Sequence, residues 1–226
     1  FICIKRIFMI TKSSFKPFKL LANKHLQTIL SSIGPQPLKA TLTEENIELP
    51  DGDFIECHMK IDKPNQPIVI ILHGLGGNIR SHYSKLLIRT VLKHEMNVVF
   101  MHFRGANKPN RSNKSYHAGD TDAFAHLCKL LKQRYPTQLI KVVGVSLGGN
   151  VVLKYAGDGK HTVIPDHIIV ISTPFDLLST AQHLNSGIHK MYRGYLLKKA
   201  FHTIYQKFHA DRLGIPLKVL ESIRNF

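Results

Sequence analysis

The sequence has 226 residues, 43% of them hydrophobic and 20% charged, enough to bury a full core as one domain and too apolar for a disordered chain. Its three cysteines (Cys3, Cys57, Cys128) lack CxxC spacing, which argues against a disulfide framework or a zinc site and for a reducing cytosol. The net charge of +16 lies mostly at the two ends, and no aromatic residues interleave with the basic ones as in nucleic-acid-binding motifs, so no specific nucleic-acid partner is expected.

In chain order, FICIKRIFMI is too short and too basic to span a membrane and lacks a cleavage signal. Met9 precedes a plausible natural start, which would make residues 1–8 upstream translation. Residues 15–33, FKPFKLLANKHLQTILSSI, read as a short segment and a helix, stopped by GPQP. From Thr43 to Ile61, ENIELP, the turn Asp51-Gly52 and the alternating DFIECHMKI predict a hairpin. Pro67–Leu72 (PIVIIL) reads as a buried strand running into His73-Gly74-Leu75-Gly76-Gly77. The next helix, Ser81–His94, is expected to bury Tyr83, Leu86, Leu87 and Val91. Asn97–Phe103 is again a strand, followed by the polar loop ANKPNRSNKSYHAGD at its carboxyl end, where open α/β sheets hold ligands. Asp120 or Thr121 can cap a helix whose core face is Phe124, Leu127, Cys128 and Leu131.

Leu139–Val145 is an apolar strand, and Val151, Val152, Tyr155 and Ala156 recur at helical spacing up to Gly157 as a C-terminal stop. Between them stands G-x-S-x-G: Gly144, Val145, Ser146, Leu147, Gly148. A serine on so sharp a strand-to-helix turn is a nucleophile elbow, and Gly144 and Gly148 are required because a Cβ would collide across the turn. The turn aims the N–H of Leu147 at the place where an oxyanion would form. An HG-x-G loop after an earlier strand can aim a second N–H there, that of Leu75, with His73 and Gly74 as its supporting motif. The alternative, a phosphate-binding loop, is not matched by G-x-x-x-x-G-K-[ST].

His167–Ser172 (HIIVIS) is the last strand, expected to be buried, although with no strand beyond it it would stand as an apolar edge. Strands and helices alternating four times predict right-handed βαβ units and a parallel sheet. Residues 176–226 read as helices with breaks near Asn185-Ser186-Gly187 and Gly214-Ile215-Pro216.

FKPFKLLANKHLQTIL, ELPDGDFIE, ILHGLGGNIRSHY, MHFRGANKPNRSNKSYHAGDTD and VGVSLGGNVVLKY together resemble the YheT-like α/β-hydrolases, a family of predicted esterases and lipases. The resemblance implies an α/β-hydrolase fold, a mostly parallel, doubly wound sheet with a helical cap. It also implies Ser146 as nucleophile, Leu75 and Leu147 as oxyanion donors, and small-molecule or lipid acyl esters as substrates. In this fold an acid and then a histidine follow the nucleophile. After Ser146 the acids are Asp158, Asp166, Asp176, Asp211 and Glu221, none at the end of a further strand. Asp176 reads as a helix cap, and His183, His189, His202 and His209 sit on helical segments among lysines. No triad acid or base is assigned, and the last strands are expected to be missing.

The expected organisation is a basic N-terminal segment and helix (1–43), a hydrolase core (44–175) and a truncated helical cap (176–226). No cofactor is needed, and no metal is expected, with His117, Asp120 and Asp122 read as stabilising their loop. Residues 1–43 carry seven Lys/Arg and no acid, and residues 188–226 carry eight against two. Such ends suit peripheral contact with an anionic membrane by a cytoplasmic protein, or simply solvated helix faces. The competing function is an incomplete hydrolase that only binds acyl ligands.

Overall fold

A computed structural model describes residues 11–19, 22–30, 37–209 and 216–223, with some side chains in α1, α6 and α7 excepted. The expectations for Met9 and residues 1–8, for most of GPQP, for Gly214-Ile215 and for Asp211 lie outside the described residues. The chain divides into two units, Phe1–Pro35 and Gln36–Phe226. In the first, α1 (Lys24–Leu30) starts where Asn23 Oδ1 accepts the N–H of His25 at 2.8 Å, satisfying a donor that the first helical turn leaves open.

The second unit is built on one six-stranded sheet. β1 (Thr43–Glu48) and β2 (Phe54–Lys60) form the predicted antiparallel hairpin. Gly52 at its turn takes φ +79°, a conformation glycine adopts without strain. β3 (Ile68–Leu72), β4 (Asn97–Met101), β5 (Ile140–Val145) and β6 (His167–Ile171) are mutually parallel, and the order across the sheet is β1-β2-β4-β3-β5-β6. Every residue of β3 and β4 is buried, as continuous apolar runs covered on both faces must be.

The helices α2 (His82–Lys93), α3 (Asp122–Arg134) and α4 (Leu147–Gly157) connect these strands. One core layer joins Ile70, Leu72, Phe124, Leu127 and Tyr155; the other joins Val69, Ile71, Ile88 and Phe100. Three expectations are corrected here. α2 buries Ser84, Ile88 and Val91 while Leu86 stays 51% exposed, because three adjacent apolar residues fit either of two faces and the sheet selects one. Gly157 is still helical, and the left-handed residue that ends this stretch is Gly159, at φ +64°. β6 is not buried: its residues alternate between exposed and half-buried, since among the described residues it pairs only with β5. Helices α5 (Leu177–Leu184), α6 (Lys190–His209) and α7 (Leu217–Ser222) follow it.

Candidate functional site: the turn at Ser146

Ser146 joins β5 to α4 with φ 52° and ψ −118°, a backbone conformation that non-glycine residues hold only when their surroundings enforce it. Here the enforcement is visible. The N–H of Ser146 donates to Ile171 O at 2.8 Å and its carbonyl accepts from Gly149 N at 2.9 Å. A Cβ on Gly144 would stand 2.7 Å from Gly148 O, and one on Gly148 would stand 2.6 Å from Leu72 O. The packing excludes any side chain at both motif glycines, and Asn150 ties the next turn down by donating to Pro174 O at 2.8 Å.

The end of β3 faces this turn. A Cβ on Gly74 would lie 3.1 Å from Ser146 Cβ and 3.6 Å from its Oγ. His73 is fully buried and its pKa is lowered to about 4 by burial, so it is neutral. Its Nε2 accepts from Phe103 N at 3.2 Å, which leaves Nδ1 to donate to Gly74 O at 2.7 Å. With both ring nitrogens engaged, His73 shapes the loop. The N–H groups of Leu75 and Leu147 have no hydrogen-bond partner among the described residues. Above the loop lies α6, whose Lys199 Cβ would be 2.4 Å from a Cβ on Gly76.

No described histidine or carboxylate hydrogen-bonds Ser146. Three of the later acids have other partners: Asp158 pairs with Lys154 at 2.9 Å, Asp166 accepts from Ile140 N at 2.8 Å, and Asp176 caps α5 by accepting from Ser179 N at 2.9 Å. The Glu221 side chain lies outside the described residues. His183 and His189 meet each other, ring centroids 4.0 Å apart.

The polar loop after β4 is anchored from beneath by buried Asp53. Its carboxylate accepts from Ser112 Oγ at 2.6 Å, Arg111 N at 2.9 Å and Arg104 Nη1 at 3.3 Å. Burial would raise its pKa, but hydrogen bonds from Ser112, Asn110 and the N–H groups of Arg111 and Phe54 bring it down to about 2. In the same loop His117 Nδ1 accepts from Gly119 N at 3.1 Å.

Sequence reading missed one cluster. Glu56 and His58, two apart on β2, share a face with His102 beyond the end of β4, their ligand-capable atoms all within 4.8 Å of one another. Two histidines and a carboxylate can bind a divalent ion, yet the hydrogen bonds oppose it. His102 Nε2 accepts from Ile79 N at 3.1 Å, so its Nδ1 carries the proton, and it lies 3.3 Å from Glu56 Oε1 without hydrogen-bonding it. Ligation through Nε2 would cost the bond from Ile79, ligation through Nδ1 would require its proton to leave, and Glu56 Oε1 is already engaged by His58 Nε2 at 2.8 Å. Burial lowers the His102 pKa to about 3, so the contact is a neutral imidazole on a carboxylate, and it pins Ile79 just past the glycine loop. The i, i+2 spacing on β2 was legible; its meeting with His102 depended on β2 lying beside β4. A hollow of about 370 Å³ lined by Leu38, Arg89 and Leu92 includes no residue of this site and brings no chemistry to it.

The profile of the alpha/beta hydrolase fold matches residues 67–213. Over 95% of its length the chain is 31% identical to the Escherichia coli K12 protein YheT, described as a candidate esterase, of which it spans 65%. It is 28% identical to the monoacylglycerol lipase of Saccharomyces cerevisiae over 54% of this chain and 27% of that one. The esterase Pf2001 of Pyrococcus furiosus superposes with a TM-score of 0.55 at 25% identity, over 69% of this chain and 60% of that one. The chain therefore spans less than two thirds of each of these relatives.

Proposed function

The chain belongs to the α/β-hydrolase family and is similar to its YheT-like esterases, and from that membership we propose that it is a serine hydrolase of carboxylic esters with Ser146 as nucleophile. The observation that carries the reading is the forced turn at Ser146 beside the N–H groups of Leu75 and Leu147, which have no partner among the described residues. In the proposed reaction Ser146 Oγ attacks the ester carbonyl while its proton passes to an imidazole. The carbonyl oxygen becomes an oxyanion facing the two N–H groups, the alcohol leaves with that proton, and water then releases the acid from the acyl-enzyme. We place the imidazole and its acid outside these 226 residues, with residues 44–175 as core and 176–226 as part of a cap.

The substrate class is small-molecule or lipid acyl esters, a reading supported by the lipase among the relatives. No helix among the described residues is long and apolar enough to cross a membrane, and we assign the protein to the cytosol with peripheral contact to anionic lipid. A second reading, an acyl-binding protein without turnover, is favoured by the absence of any described base on Ser146.

The test is turnover of p-nitrophenyl acyl esters and labelling by a fluorophosphonate. An elbow and oxyanion donors without a triad can retain roughly 10³–10⁴-fold catalysis over water, so these residues alone should give negligible turnover. Joined to a segment carrying the acid and histidine, they should give turnover and labelling that Ser146→Ala abolishes. Failure of the joined protein while it still binds fatty acid would establish the second reading.

A further inference from the structure

The loop His73–Gly77 owes its shape to two tyrosines distant in sequence. The N–H of Gly74 donates to Tyr83 Oη at 3.1 Å, and the N–H of Gly76 donates to Tyr116 Oη at 2.9 Å. The N–H of Gly77 donates to Gly74 O at 3.0 Å. Between the two tyrosine-bound peptides, the N–H of Leu75 has no hydrogen-bond partner among the described residues.

We propose that Tyr83 and Tyr116 are positioning residues that turn the Leu75 N–H toward the oxyanion site, an inference that rests on Ser146 being the nucleophile. A loop of three glycines and one leucine has wide backbone freedom, and Gly76 already sits at φ +62°. Holding the N–H on either side of Leu75 sets the peptide planes that flank it, so the remaining donor has one direction. The fit is close: a Cβ on Gly77 would stand 2.3 Å from Tyr83 Oη, so glycine there makes room for the hydroxyl. Both phenols are held by their surroundings. Tyr83 is in the first turn of α2, and the Tyr116 ring stacks on Phe103 at 5.1 Å and 14° and meets His73 edge-on at 5.9 Å. Leu147, on the other side of the site, has its N–H direction set by α4 and needs no such help.

The test separates the two donors. Octanoate offers a carboxylate in place of the oxyanion and needs no catalytic base. Amide hydrogen exchange read by mass spectrometry with single-residue fragmentation should show octanoate slowing both Leu75 and Leu147 about fivefold in the unaltered chain. In Tyr83→Phe and Tyr116→Phe the slowing at Leu147 should persist and that at Leu75 should fall below twofold, with Ile70 and Val99 exchanging as before. Equal protection of both amides in the variants overturns the proposal. Protection of neither amide in the unaltered chain sinks the nucleophile reading and this proposal with it. Should either variant unfold, 3-fluorotyrosine incorporation keeps the ring packing and weakens the phenol oxygen as acceptor. It must then lower Leu75 protection relative to Leu147, and an unchanged ratio overturns the proposal.

Discussion

Gly148 lies so close to the carbonyl oxygen of Leu72 that a Cβ on it would stand 2.6 Å away. The start of the helix that follows Ser146 is thus seated directly on the strand that leads into the Leu75 loop. Ser146 and the Leu75 loop are held in register partly by this contact, and a methyl group at Gly148 would push the two apart. Gly148→Ala is expected to destabilise the fold by about 1–3 kcal/mol, the usual cost of overpacking. Gly157→Ala, where nothing lies within 4 Å, is expected to be neutral or to stabilise by about 0.5–1 kcal/mol. Urea denaturation of the two variants checks this, and equal effects would refute it.

The strain at Ser146 predicts a trade between stability and chemistry. A residue held outside the ordinary regions costs on the order of 1–3 kcal/mol, and glycine relieves most of that. Ser146→Gly is therefore expected to raise the melting temperature while Ser146→Ala, equally strained, leaves it nearly unchanged. A Ser146→Gly variant no more stable than Ser146→Ala would show that the turn is not strained.

Acid should weaken the fold, beginning well above the usual carboxylate range. His73 and His102 have pKa values lowered from 6.5 to about 4 and about 3 by burial. Below about pH 6.5 the unfolded chain takes up protons that the folded chain refuses, so the stability present above that pH is lost as the pH falls toward the folded values. Glu56 and Asp53 act in the same direction at lower pH. Each is held at about 2 against ordinary values of 4.5 and 3.8, so their contribution disappears as the pH falls through that interval. Moving from pH 7 to pH 5 is expected to cost on the order of 1–2 kcal/mol per histidine. Urea midpoints at the two pH values measure it, and a flat or rising stability would contradict it.

The outer edge of β6 should be sticky. Ile169 is 58% exposed and Phe175, just beyond the strand, 84%, and an unpaired apolar edge templates association. Concentration-dependent oligomers are expected in sedimentation velocity, and Ile169→Lys should shift the population toward monomer. A monodisperse parent chain that melts cooperatively would remove the argument.

The uneven charge has its own test. If the basic ends dock on lipid, co-sedimentation with phosphatidylserine vesicles should fall steeply between low and physiological salt and be absent with phosphatidylcholine alone. Equal binding to both vesicle types would exclude an electrostatic cause.

Much of this protein was determined locally and could be read from its residues in order. The hairpin turn at Asp51-Gly52, the apolar runs Ile68–Leu72 and Asn97–Met101, and Gly144 before Ser146 depend on neighbours a few residues away, where hydrophobic period and turn chemistry act, whereas Gly148 is required by Leu72 O on a distant strand. Tertiary structure alone decided which residues meet. Whether α2 buries Leu86 or Ile88 depended on the sheet beneath it, because adjacent apolar residues satisfy two helix faces equally. The contact of Glu56 and His58 with His102, the anchoring of Arg104 and Arg111 on Asp53, and the reach of Tyr116 to Gly76 join side chains from separate elements. They follow from the order β2-β4-β3-β5, and pairing between distant strands leaves no periodic trace in sequence. Even His73, expected as supporting motif for the Leu75 loop, is fixed in part by the bond from Phe103 N, which only the assembled chain supplies.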